Sequence, residues 1–65
     1  MKVKDIIKKI SDMKLYIEFI ESGSYASYGF YTKNDLIYND KFNNYNVKNI
    51  NVQYVGNKRL LVIYI

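Results

Sequence analysis

The side chains best equipped to move protons in this 65-residue chain are its six acids, Asp5, Asp12, Glu18, Glu21, Asp35 and Asp40. Paired carboxylates can divide acid and base work when their surroundings push their proton affinities apart. These six are spread among ten Lys and Arg residues, and solvated acids balancing nearby lysines account for them. Nucleophilic catalysis by Ser, Thr or Lys needs an activating neighbour, most often histidine, and the chain contains none. Cysteine is also absent, which excludes a disulfide framework and a thiolate metal site. Carboxylates alone are a poor match to zinc. In NDLIYND, Asn34, Asp35, Asn39 and Asp40 offer oxygen ligands to calcium, but the spacing is not that of an EF-hand and no glycine makes the sharp turn. Turn formation explains them better. Gly29 and Gly56-Asn57 match no phosphate-binding glycine pattern. A substrate cleft of roughly 300 Å³ or more is also hard to enclose with so short a chain. The expectation is a binding protein, not an enzyme, with no metal and no cofactor.

Binding chemistry is more promising. The net charge is +4, which favours electrostatic steering towards acidic partners. Lys, Asn, Ile and Tyr supply 34 of 65 residues; all four have AT-rich codons, so part of the lysine count reflects mutation bias. Lys2, Lys4, Lys8 and Lys9 cluster near the amino terminus, where a solvated helix face or a phosphate backbone could use them. Eight tyrosines without a tryptophan leave several rings outside any core that this chain can build.

The elements that must position these groups are legible in part. Val3, Ile6, Ile7 and Ile10 fall on one stripe of a 3.6-residue period, so residues 2–12 read as an amphipathic helix. Leu15, Ile17 and Phe19 alternate with Tyr16, Glu18 and Ile20 in a strand over 14–21. The turn residues Ser22, Gly23 and Ser24 lead into a second strand over 25–32. Residues 33–46 read as a short strand at Leu36–Tyr38 and then a turn or single helical turn around Asp40–Asn44. Val47, Ile50, Val52 and Tyr54 lead to Gly56-Asn57 and on to Leu60, Val62 and Tyr64, apolar at period two on both arms of a carboxy-terminal hairpin with its turn centred on 55–58. Leu60–Ile65, apolar on both faces, suits a strand inside a sheet or one covered by a partner chain. The expected fold is a single α+β domain over 1–65, with the amino-terminal helix on a four- to five-stranded antiparallel sheet. One sheet face is then left to meet solvent, a second copy or a target.

In SYASYGFYT, Ser24 to Thr32, strand alternation assigns Ala26, Tyr28 and Phe30 to the helix side and Tyr25 and Tyr31 to the uncovered side. Exposed tyrosines beside small residues suit protein interfaces. Tyr25 and Tyr31, with Lys33 and the turn cations Lys58 and Arg59, are the expected partner contacts. YGFYT resembles the ring-presenting strand of RNA-recognition domains, but Tyr28 replaces the basic residue before the glycine and the chain is too short for that fold. What carries over is the physics of stacking single-stranded bases on tyrosines.

The opening VKDIIKKISDMKLYIEF, a short isoleucine-striped helix running directly into a strand, resembles the start of small early proteins of phages and mobile elements. In size and layout the chain is similar to small anti-CRISPR proteins. That resemblance implies a phage-encoded inhibitor that binds and blocks a host defence effector, a protein or ribonucleoprotein. Several such inhibitors are strongly acidic and imitate DNA, whereas this chain is basic, so it would occlude a surface or occupy an acidic site. Single-stranded nucleic-acid binding and homodimerisation are the other expectations. The longest apolar run, Leu60–Ile65, is far short of the roughly 20 residues of a membrane span. The amino terminus lacks the apolar stretch of a signal peptide, and the expected location is the cytoplasm.

Overall fold

Helix α1 spans only Val3–Ile7 in the computed structural model, which describes residues 1–65. It is shorter than the 2–12 expected from the isoleucine stripe. Its first amide groups find main-chain partners, Val3 N–H donating to the Tyr45 carbonyl at 3.0 Å and Lys4 N–H to the Asn43 carbonyl at 3.2 Å. Beyond Ile7 the bonding tightens to three-residue spacing, Lys9 N–H to Ile6 and Ile10 N–H to Ile7. Asp12 then accepts the Lys14 N–H on its own Oδ1 at 2.9 Å. The helix has by then ended, and this side-chain bond shapes the turn that leads into the first strand.

Strand β1 (Tyr16–Ile20) and strand β2 (Ser27–Tyr31) follow as the expected hairpin. Residues 36–38 are not a strand. They close helix α2 (Lys33–Tyr38), which is nucleated by a reciprocal cap. The Thr32 Oγ1 accepts the Asp35 N–H at 3.3 Å, and an Asp35 carboxylate oxygen accepts the Thr32 N–H at 2.9 Å. The pattern Thr32-x-x-Asp35 ahead of Leu36 is a capping-box signature, and it outweighs the strand propensity of Leu36-Ile37-Tyr38. Thr32→Ala should therefore cost about 1 kcal/mol. That loss would be read as a lower urea midpoint at unchanged slope, and an unshifted midpoint would show that packing of Leu36 alone holds α2.

Strands β3 (Asn49–Val55) and β4 (Lys58–Tyr64) form the carboxy-terminal hairpin around Gly56-Asn57, with Gly56 at φ 61°. The four strands make one sheet in the order β2-β1-β4-β3. It is mixed, not antiparallel throughout: β1 and β4 run parallel, Tyr16 beside Leu60 through Ile20 beside Tyr64. The reason lies in the connection between the hairpins. Helix α2 and the following turn carry the chain back across the sheet, so β3 runs in the direction of β2 and β4 in that of β1. The apolar Leu60–Ile65 stretch is thereby explained, since β4 lies between two strands with both of its edges occupied.

Both helices cover the same sheet face. Val3, Ile7, Leu36 and Phe42 pack there on Ile17, Phe19, Leu61, Ile63 and Ile65. Phe42, from the turn after α2, stacks on Phe19 with ring centroids 4.2 Å apart and planes at 16°. Tyr31 meets Phe42 edge-on at 5.4 Å, and Tyr28 and Tyr45 flank it at 5.9 and 6.1 Å. No helix is long and apolar enough to cross a membrane.

Candidate partner-binding face

The uncovered sheet face is shaped by one irregularity in β2. Ile17 pairs with Tyr31 and Glu18 with Phe30, but Ile20 pairs with Ser27. Two steps along β1 thus match three along β2, which is a bulge. Gly29 absorbs it at φ 103°, a backbone conformation that L side chains rarely adopt. Strand alternation is broken at that point. Tyr28 and Tyr31 both reach the Phe42 side, and Phe30 turns to the opposite face, 61% exposed. The expected assignment is therefore reversed for two residues: Phe30 leaves the helix side and Tyr31 joins it.

Phe30 has company on the open face. With Tyr16, Val55 and Leu60 it lines an apolar depression of about 440 Å³, at whose rim lie Lys58 and Arg59. The Lys58 ammonium sits 5.6 Å from the Tyr16 ring centroid, a favourable cation–aromatic arrangement. Arg59 has the opposite strand parity, and its Nη2 donates to the Asp12 Oδ2 at 3.0 Å. The two cations expected at the turn are thus brought beside exposed rings, one free to meet a ligand and the other paired at the surface.

The other expected contacts are dispersed. Tyr31 is half-buried, its hydroxyl donating to the Tyr28 carbonyl at 2.8 Å while its ring packs on Phe19 and Phe42. Tyr25 lies outside β2, in the turn before it at φ 60°, exposed. It lines a depression of about 280 Å³ with Ser22, Asn49 and Tyr64 at the far end of the strands. Lys33 is engaged in structure, since its ammonium donates to the Ile10 carbonyl left unpaired where the first helix ends. Sequence reasoning missed Tyr16 and Phe30. The alternation of β1 already placed Tyr16 opposite Ile17, and a glycine inside an aromatic strand is itself a bulge signal.

Two titrating groups share a hydrogen bond across the turn between β1 and β2. Glu21 accepts from the Tyr28 hydroxyl on one carboxylate oxygen and from the Ser24 Oγ at 2.8 Å on the other. The Tyr28 bond, with the Ser24 bond second, holds Glu21 below its ordinary value of 4.5. The same bond, foremost, holds Tyr28 above 10.0. The stabilisation belonging to Glu21 is present above pH 4.5 and fades as pH falls through its lowered value. That belonging to Tyr28 is complete below pH 10.0 and fades as pH rises through its raised value. An ultraviolet titration of tyrosinate should show a component ionising above 10.0 that Tyr28→Phe removes. If the component that the variant removes ionises at the ordinary tyrosine value instead, the hydrogen bond does not persist in solution.

No three acidic side chains converge anywhere in the fold. The largest depression, about 600 Å³, is more space than the chain length suggests, but it is an open trough. Its one acid, Asp12, is already paired with Arg59. Comparison of the chain with protein-family models, with curated proteins and with solved structures found no match.

Proposed function

We propose that this chain is a small non-enzymatic binding protein that docks its uncovered sheet face onto a protein partner. The observation that carries this reading is the patch of Tyr16, Phe30, Val55 and Leu60, apolar at its centre and rimmed by Lys58, on the face that neither helix covers. Aromatic anchors with a polar rim are what protein interfaces use, and a ring held on a strand gives contact area at low entropic cost. The matching partner surface is an apolar pocket with a carboxylate beside it to receive Lys58. Size and layout, which resemble those of small anti-CRISPR proteins, support a role as a phage-encoded inhibitor occluding a host defence effector in the cytoplasm.

Folded bait should recover one dominant protein from the lysate of an AT-rich bacterial host, and the same protein after nuclease treatment. Recovery of nothing by folded bait contradicts this reading. A second reading draws on the Lys58 ammonium over the Tyr16 ring, which sets a cation beside rings that bases could stack on. It takes over if nuclease abolishes recovery and the protein is retained on single-stranded oligonucleotides at about 50 mM salt but not at high salt.

A further inference from the structure

The two edges of the sheet differ. At β2 the bulge at Gly29 breaks the regular ladder, a device that discourages edge pairing. At β3 the ladder is unbroken, and the one side chain bonded to that strand's own backbone is Asn49, whose Oδ1 accepts the Ile50 N–H at 2.9 Å and must release it on pairing. Asn49–Val55 is regular along its whole length, pairing from Asn49 beside Tyr64 to Val55 beside Lys58, and it contains no charged residue, proline or glycine. All seven of its residues are exposed, because the helices stop short of it. Ile50, Val52 and Tyr54, 42%, 54% and 73% exposed, share its helix-side face, while Asn49, Asn51, Gln53 and Val55 share the other.

We infer that β3 is a homodimer edge, pairing antiparallel with β3 of a second copy about a two-fold axis at Val52. The strand's own pattern selects this partner. With Val52 opposite Val52, Ile50 falls opposite Tyr54 and Asn51 opposite Gln53, so from residue 50 to 54 apolar meets apolar on one face and amide meets amide on the other, while at the two ends Asn49 falls opposite Val55. Any register shifted by one residue would set apolar side chains against the amide face. The pairing joins the two sheets into one of eight strands and continues the apolar row of one copy into the other. It is a weak dimer. A standard interface takes about 800 Å² from each partner, about a sixth of the 4537 Å² surface here, and one strand about 24 Å long offers less.

Sedimentation from micromolar to millimolar concentration should show a reversible monomer–dimer equilibrium and nothing larger. Val52→Lys sets like charges opposite each other at the axis and should weaken association about tenfold or more, with the circular dichroism spectrum unchanged. Val52→Cys is a second readout in a chain without other thiols. Directly opposed residues lie about 4.5–5.5 Å apart at Cα, within disulfide reach, so mild oxidation should cross-link this variant and not Ile37→Cys on α2. A monomer at millimolar concentration, a Val52→Cys yield no higher than that of Ile37→Cys, or growth into assemblies beyond the dimer would each overturn the proposal.

Discussion

Replacing Phe42 with alanine should leave most of the protein unfolded at room temperature. The ring is 2% exposed and stacks on Phe19, with Tyr28, Tyr31 and Tyr45 around it. It therefore ties the turn after α2 to the central strand β1 and to the strand carrying the bulge. A buried phenylalanine truncated to alanine costs about 3–5 kcal/mol, and a domain of this size has little more than that to lose. The Val3 and Lys4 amides lean on the carbonyls of Tyr45 and Asn43, so loosening this turn also frees helix α1. Urea denaturation followed by circular dichroism should show the loss as a collapsed folded baseline. Phe42→Leu should retain a measurable transition. A full folded baseline for the alanine variant would mean that α1 and α2 hold the sheet without the aromatic stack.

The second large effect is on binding. Phe30→Asp puts a charge at the centre of the apolar depression formed with Tyr16, Val55 and Leu60. Central aromatic anchors of interfaces are worth about 2–4 kcal/mol, so partner affinity should fall roughly 30- to 1000-fold. The fold should tolerate the change, because the side chain is already mostly in water; a cost of about 1 kcal/mol from lost strand propensity is the expected limit. Tyr31→Ala should do the reverse, lowering stability by removing a ring from the Phe19–Phe42 stack while leaving the binding chemistry of the open face in place.

That contrast shows where the sequence was informative. Alternation in Tyr16–Ile20, the two hairpins and the two-faced apolar character of Leu60–Ile65 are local or composition-level signals, and each corresponds to an element or position in the fold. The faces of β2 were not legible by alternation, because period two holds only while the ladder is regular, and Gly29 inserts one residue at positive φ. Helix α2 was hidden by the strand-like Leu36-Ile37-Tyr38, although the Thr32–Asp35 cap stood just before it. Parallel pairing of β1 with β4 follows from that helix, since a helical connection returns the chain to the starting end of the sheet. The length of α1 is overestimated by the isoleucine stripe because the stripe continues to Ile10, while beyond Ile7 the main-chain bonding has already tightened to three-residue spacing. Phe42 stands among asparagines that read as turn, and only the tertiary fold brings it onto Phe19. For the candidate site, Lys58 and Arg59 were legible as cations at a turn, but the rings they adjoin were not.

Whether the uncovered sheet face is the binding surface is tested most directly by amide chemical-shift mapping of the isotope-labelled protein titrated with its recovered partner. The result expected is perturbation centred on Tyr16, Phe30, Val55, Lys58 and Leu60, with α1 and α2 little changed. Perturbation confined to the helix side, around Lys4, Lys8 and Ile37, with the sheet face unmoved, would contradict it.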